Sequence, residues 1–197
     1  MGIDDVPLAI REKFEIYEWK HSIAILKNDF QNEWKDILDM LEALTIPANW
    51  IKTPGGRKSE IAKWLDAFLS KRGWTEKSFQ TAIRVDEAEI DSPTHKVDCF
   101  KNRIALELEW NNKDPFFDRD LNNFRLLFDL RTVSVGIIIT RCDDLQKCFK
   151  KIGRGKSYGA STTHMKKLLP RIEGGGGAGC PVLVFGIRRR CIEEQTE

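Results

Sequence analysis

The stretch VDCFKNRIALELEWNNKDPFFDRDLNNFRLLFDLRTVSVGIIITR (97–141) decides the fold. Within it, RIALELEW reads as a strand. Side chains alternate between faces along a strand, so Ile104, Leu106, Leu108 and Trp110 share one face while Ala105, Glu107 and Glu109 share the other. Next, Phe117, Leu121, Phe124, Leu127 and Phe128 recur at helical spacing. The run VSVGIIIT that follows is apolar throughout, as in a strand buried on both faces. Strand, helix and buried strand together predict a β-α-β unit and an α/β fold with a mixed central sheet flanked by helices.

Upstream, FEIYEWKHSIAIL from Phe14 is rich in β-formers, and Phe30, Trp34, Ile37, Leu38, Leu41 and Leu44 then mark an amphipathic helix. TPGGRKS is a loop. Ile61, Trp64, Leu65, Phe68 and Leu69 define a second helix that Gly73 can end. Phe79, Thr81, Ile83 and Val85 alternate with polar residues and predict a strand. DSPTH breaks the chain after it, and a turn-linked antiparallel pair with RIALELEW is expected. The last third reads as a short helix at DDLQKCFKKI, a polar loop GRGKSYGAST, a helix around HMKKLLPRI, a glycine run at 174–179 and a buried strand VLVFGI.

The 197 residues predict one domain, with strand and helices over 1–75 and a core over 76–190. The composition, 41% hydrophobic and 31% charged, is that of an ordinary globular protein and excludes disorder. With 32 Lys and Arg against 30 Asp and Glu, overall charge neither demands nor forbids a polyanionic partner. No basic-then-apolar leader and no run of about 18 apolar residues occurs, so a cytoplasmic protein without a membrane partner is expected. Five cysteines without a C-x-x-C pair fit neither a disulfide framework nor a zinc site and read as reduced.

Two carboxylates on one face of an otherwise apolar strand are costly unless a cation or dense hydrogen bonding compensates. Asp98 lies just before the polar turn at 101–103 and can return close to Glu107 and Glu109. Hard divalent cations such as Mg²⁺ favour such oxygen ligands together with a substrate phosphate. In that reading Asp98 and Glu107 hold the metal and Glu109 is a third ligand or the base that orients water. The same alternation also suits an edge strand with its acids turned to solvent, and spacing does not separate the two.

The 97–141 string resembles the catalytic core of BglII- and BstYI-type restriction endonucleases, relatives of BamHI within the PD-(D/E)xK nuclease superfamily. SYGASTTHMKKLLPRIEGGGGAGCPVLVFGI extends the likeness. It implies a Mg²⁺-dependent type II enzyme cutting double-stranded DNA at a short palindrome, built around GATC, as a homodimer. Asp98, Glu107 and Glu109 match the catalytic positions. No proline directly precedes Asp98, and Glu109 stands where many of these nucleases have lysine, although BamHI-like enzymes also carry glutamate there. Glu60 is a further candidate, since helices before the core in this fold can bring a glutamate to the metal; a first-turn glutamate on a helix dipole is the plainer reading.

For DNA contact, Asn111 and Asn112 follow the acidic strand, and the resemblance assigns base contact to Asn112; a turn asparagine is the alternative. Arg154, Lys156, Ser157, Tyr158, Ser161, Thr162, Thr163 and His164 form a candidate recognition loop. No nucleotide cofactor is expected: Lys150 occupies the first glycine position of a would-be P-loop ending at Gly155-Lys156-Ser157, and Gly174, Gly176 and Gly179 precede a strand rather than open a helix. A repair nuclease of the same fold and a silent DNA-binding protein are the rival functions.

Overall fold

The computed structural model describes residues 2–52, 58–91 and 94–193. Its elements are α1 (Leu8–Lys13), β1 (Phe14–Trp19), α2 (Ser22–Asp29), α3 (Gln31–Ala43), α4 (Ala48–Lys52), α5 (Glu60–Ser70), β2 (Thr75–Lys77), β3 (Ala82–Val85), β4 (Ala88–Asp91), β5 (Val97–Lys101), β6 (Ile104–Glu109), α6 (Phe116–Asp129), β7 (Val135–Arg141), α7 (Leu145–Lys151), α8 (Met165–Glu173) and β8 (Val182–Ile187). A six-stranded sheet runs β1-β8-β7-β6-β5-β2. Its centre, β6-β7-β8, is parallel, while β1, β5 and β2 pair antiparallel. This is the mixed α/β sheet expected.

Every residue of β6, β7 and β8 is buried because helices cover both faces. On one face, Ile37 and Leu41 of α3 and Leu65 and Leu69 of α5 pack on Ile104, Leu106, Ile137 and Leu183. On the other, Phe117, Leu121, Phe124 and Leu127 of α6 and Leu168 and Ile172 of α8 cover Ala105, Ile138 and Val184. Gly136 sets how closely α6 lies on the sheet, since a Cβ there would sit 2.3 Å from the Phe124 ring.

The run after Phe14 is a strand only as far as Trp19. Lys20 and His21 both take positive φ (55°), turning the chain so that Ser22 begins a helix that buries Ile23 and Leu26. The expected pairing of the Phe79–Val85 run with the acidic strand is also corrected. Ala82–Val85 pairs with Ala88–Asp91 through a two-residue turn at Asp86 (φ 52°) and Glu87, forming a separate hairpin exposed on both faces. Phe79 and Thr81 precede it. The antiparallel partner of β6 is instead β5, joined across Asn102 and Arg103, both left-handed (φ 43° and 70°), as a two-residue hairpin requires.

Ser59 caps α5, its Oγ accepting from Ala62 N at 3.2 Å, and Gly73 (φ 84°) turns the chain beyond its end. Most of the expected TPGGRKS loop and Ser92 and Pro93 of DSPTH lie outside the described residues. All five cysteines are free, as expected.

Candidate active site

The β5–β6 hairpin brings Asp98 back to the acidic face. Cys99 pairs with Leu106 and Phe100 with Ala105, and the same register continued one step sets Asp98 across from Glu107. Two hydrogen bonds fix the pair: Asp98 N donates to Glu107 Oε2 at 3.3 Å, and Leu108 N donates to Asp98 Oδ2 at 3.1 Å. The Asp98 carboxylate thus takes the place of a strand carbonyl at the end of the ladder. Since β6 lies inside the sheet, the edge-strand alternative is excluded, and Glu107 and Glu109 are each only 1% exposed.

A fourth acid joins them from above. Phe124 rests over Ala105 and Gly136, and Asp120 lies one α6 turn earlier, fully buried, where the antiparallel course of helix over strand carries it towards the glutamates. Arg119 reaches both levels: its Nε and Nη2 donate to Asp120 Oδ1 at 2.9 and 2.7 Å, and Nη2 approaches Glu109 Oε1 at 3.4 Å. Asn112 Nδ2 donates to Glu109 Oε2 at 2.9 Å.

This much negative charge in a dry place holds protons. Burial, then Asp120 and Asp98, pushes the Glu107 carboxyl well above the usual range. Burial and then Asp120 push Glu109 up to about 9. Asp120 rises to about 6, burial outweighing the pull of Arg119. Glu107 Oε1 and Asp120 Oδ2 are buried and accept no hydrogen bond from any described group. Oxygen-only chemistry of this kind suits a hard divalent cation, which Asp98 and Glu107 could hold. Among the described residues, no group of three His, Cys, Asp or Glu side chains is arranged to hold a metal ion.

Glu60 stands apart. It sits in the first turn of α5, pairs with Lys63 at 2.6 Å, and has a side chain 41% exposed.

The candidate recognition loop is stitched to the segment after β6: Asp114 N donates to Ser161 O at 3.0 Å and Thr163 N to Asn112 O at 2.9 Å. Its side chains divide. Lys156, Ser157 and Ser161 are exposed and Arg154 half-buried. Tyr158, Thr162 and Thr163 point inward: Tyr158 stacks on Phe149 at 4.0 Å and accepts from Trp110 Nε1 at 3.3 Å, and Thr162 accepts from the buried Arg141. His164 Nδ1 lies 2.7 Å from Asp143 Oδ1, and burial lowers the imidazole pKa against the pull of that carboxylate. Asn111 is half-buried, Asn112 exposed.

Asp120, Arg119 and Arg141 are the residues that sequence reasoning missed. For Asp120 a signal existed: it interrupts the apolar stripe of Phe117, Leu121 and Phe124 on the buried side of α6.

A mixed sheet with an acidic hairpin and crossover strand, helices on both faces and buried carboxylates at the hairpin defines a nuclease of the restriction-endonuclease kind. The sequence model for the restriction endonuclease BglII/BglIII family matches residues 14–187, and the chain belongs to that family. It is a type II site-specific deoxyribonuclease whose substrate is double-stranded DNA. No curated protein sequence matches the chain. No described helix is long and apolar enough to cross a membrane.

Proposed function

We infer that the cleavage is Mg²⁺-dependent, that Asp98 and Glu107 hold the ion, and that Glu109 is its further ligand or the base that orients the attacking water. The observation that carries the reading is Glu107, a carboxylate 1% exposed, with an oxygen that meets no protein donor and with Asp98 directly opposite. Its cost is understood if a cation completes it. Bound there, Mg²⁺ supplies charge to the scissile phosphate and makes water more acidic. Asp98 keeps its orientation through Leu108 N, and Asn112 keeps Glu109 aimed along the same face.

Asn112, the half-buried Arg154 and the exposed Lys156, Ser157 and Ser161 lie on segments joined by backbone hydrogen bonds beside the acids, a placement that suits contacts to bases and phosphates near the cut. Two copies related by a two-fold axis, each acting as one nuclease domain, would cut the two strands of a palindrome, with a GATC centre as the resemblance implies. Digestion of a sequenced plasmid with Mg²⁺ tests the reading. Discrete fragments ending at one palindrome are expected. Asp98→Ala and Glu107→Ala should shift DNA in Ca²⁺ yet leave it intact in Mg²⁺, and normal cutting by either variant would remove the assignment.

A further inference from the structure

Asp120 is wholly buried, belongs to the crossover helix rather than the acidic hairpin, and has no role in the cleavage scheme above. Its geometry toward Arg119 is uneven. Asp120 Oδ1 receives both short contacts, at 2.9 and 2.7 Å, while Glu109 Oε1 receives one long contact of 3.4 Å from the same guanidinium. Phe116 supports the guanidinium from another side, its ring centroid 4.2 Å from Cζ. An arginine free to choose would take a carboxylate squarely with two parallel hydrogen bonds. Here it is drawn toward Asp120 and away from doing so at Glu109.

We propose that Asp120 is a positioning residue for cleavage: by holding Arg119 it keeps that cation from closing on Glu109. Glu109 Oε2 is already engaged by Asn112 at 2.9 Å, so Oε1 is the oxygen left for ligation or for water. Were Arg119 released, its 3.4 Å contact with Glu109 Oε1 would shorten and occupy that oxygen too. Asp120 therefore acts on Glu109 through Arg119, alongside the direct hydrogen bond between the two carboxyls, and touches no substrate atom. The proposal rests on Glu109 taking part in cleavage.

Asp120→Asn preserves shape and removes the charge. It should lower kcat by about ten- to a hundred-fold, the usual cost of losing a residue that orients a metal-site ligand. KM and Ca²⁺-supported DNA binding should be unchanged. Adding Arg119→Gln removes the released cation and should restore most of the lost kcat. Asp120→Glu keeps the charge and should stay more active than Asp120→Asn. A role in packing alone gives the reverse order, because asparagine fits the space and glutamate does not, and this order still decides the matter if Asp120→Asn does not fold. Wild-type kcat in Asp120→Asn, or a double variant as slow as the single, overturns the proposal. Glu109→Gln is assayed alongside: full cleavage by that variant defeats the reading of the site itself, whereas an inactive Glu109→Gln beside a fully active Asp120→Asn defeats only the role of Asp120.

Discussion

Glu109→Gln should make the metal-free protein more stable while abolishing cleavage, and the gain should grow with pH. The Glu109 carboxyl is raised from an ordinary 4.5 to about 9, first by burial and then by Asp120. A carboxyl whose folded pKa is raised contributes most to stability below its unfolded pKa, and that contribution is lost as pH climbs towards the folded value. At pH 7 the unfolded chain has released a proton that the folded site still holds, roughly 2.5 pH units past the unfolded pKa, which costs about 3 kcal/mol at 1.36 kcal/mol per unit. At pH 5 the same reckoning leaves less than about 1 kcal/mol. Glutamine keeps the shape, can still accept from Arg119 and carries no ionisation cost. For a chain of this length about 3 kcal/mol corresponds to a rise in Tm of roughly 6–12 °C. Thermal melts in EDTA from pH 5 to pH 8 should show the variant pulling ahead of the parent as pH rises. Adding Ca²⁺ should stabilise the parent and narrow the gap, since a cation removes the cost of ionising the site. If the difference in Tm is flat across that range, or the variant melts lower at pH 8, Glu109 is not held as a buried carboxyl and the electrostatic account of the site fails.

Gly136→Ala should destabilise the fold by about 1–3 kcal/mol in guanidinium titrations, because its Cβ would meet the buried Phe124 ring at 2.3 Å. Gly186→Ala should cost less, since the nearest atoms belong to the flexible Met165 and to Cys142 at 2.7 and 2.9 Å. Lys156→Ala should weaken DNA binding in Ca²⁺ and reduce the slope of log affinity against log salt by about one phosphate contact, with Tm unchanged. Tyr158→Phe should do the opposite: it strands the Trp110 indole N–H that now donates to the Tyr158 hydroxyl at 3.3 Å, costing about 1–2 kcal/mol of stability with the salt slope intact.

The parts of the fold legible in the sequence are those in which one periodicity meets one environment. β6 alternates because its two faces differ, β7 is apolar over 135–139 because α6 and the α3–α5 pair cover both of its faces, and α6 repeats at helical spacing over the sheet. Strand pairing was not legible. The run ending at Val85 has the alternation of a core strand, yet Ile83, Val85 and Ile90 are 55–58% exposed on a hairpin of their own. Alternation reports two unlike faces without reporting what covers either. The short β5 is not assigned as a strand from sequence: the polar turn at 101–103 reads only as returning Asp98 towards the acids, and the left-handed Asn102 and Arg103 make that turn a hairpin that lays VDCFK onto β6.

The site divides along the same line. Glu107 and Glu109 could be placed on one face because their separation of two residues is a strand period, and Asp98 because a hairpin returns it. Tyr158, Thr162 and Thr163 sit among basic and hydroxyl residues in a glycine-containing loop, a composition that suggests an outward surface, but all three are buried, with Phe149 and Trp110 holding Tyr158 and Arg141 holding Thr162. Composition averages over a segment, whereas burial is settled residue by residue. Asp120 is the converse, a single acid on an apolar stripe whose meaning depends on what lies beneath it. With only α6 in view, a buried Asp beside an Arg is a local ion pair. Over Glu107 and Glu109, the same arginine is shared, lying 2.7 and 2.9 Å from Asp120 against 3.4 Å from Glu109, so the pair bears on a carboxylate that belongs to another element.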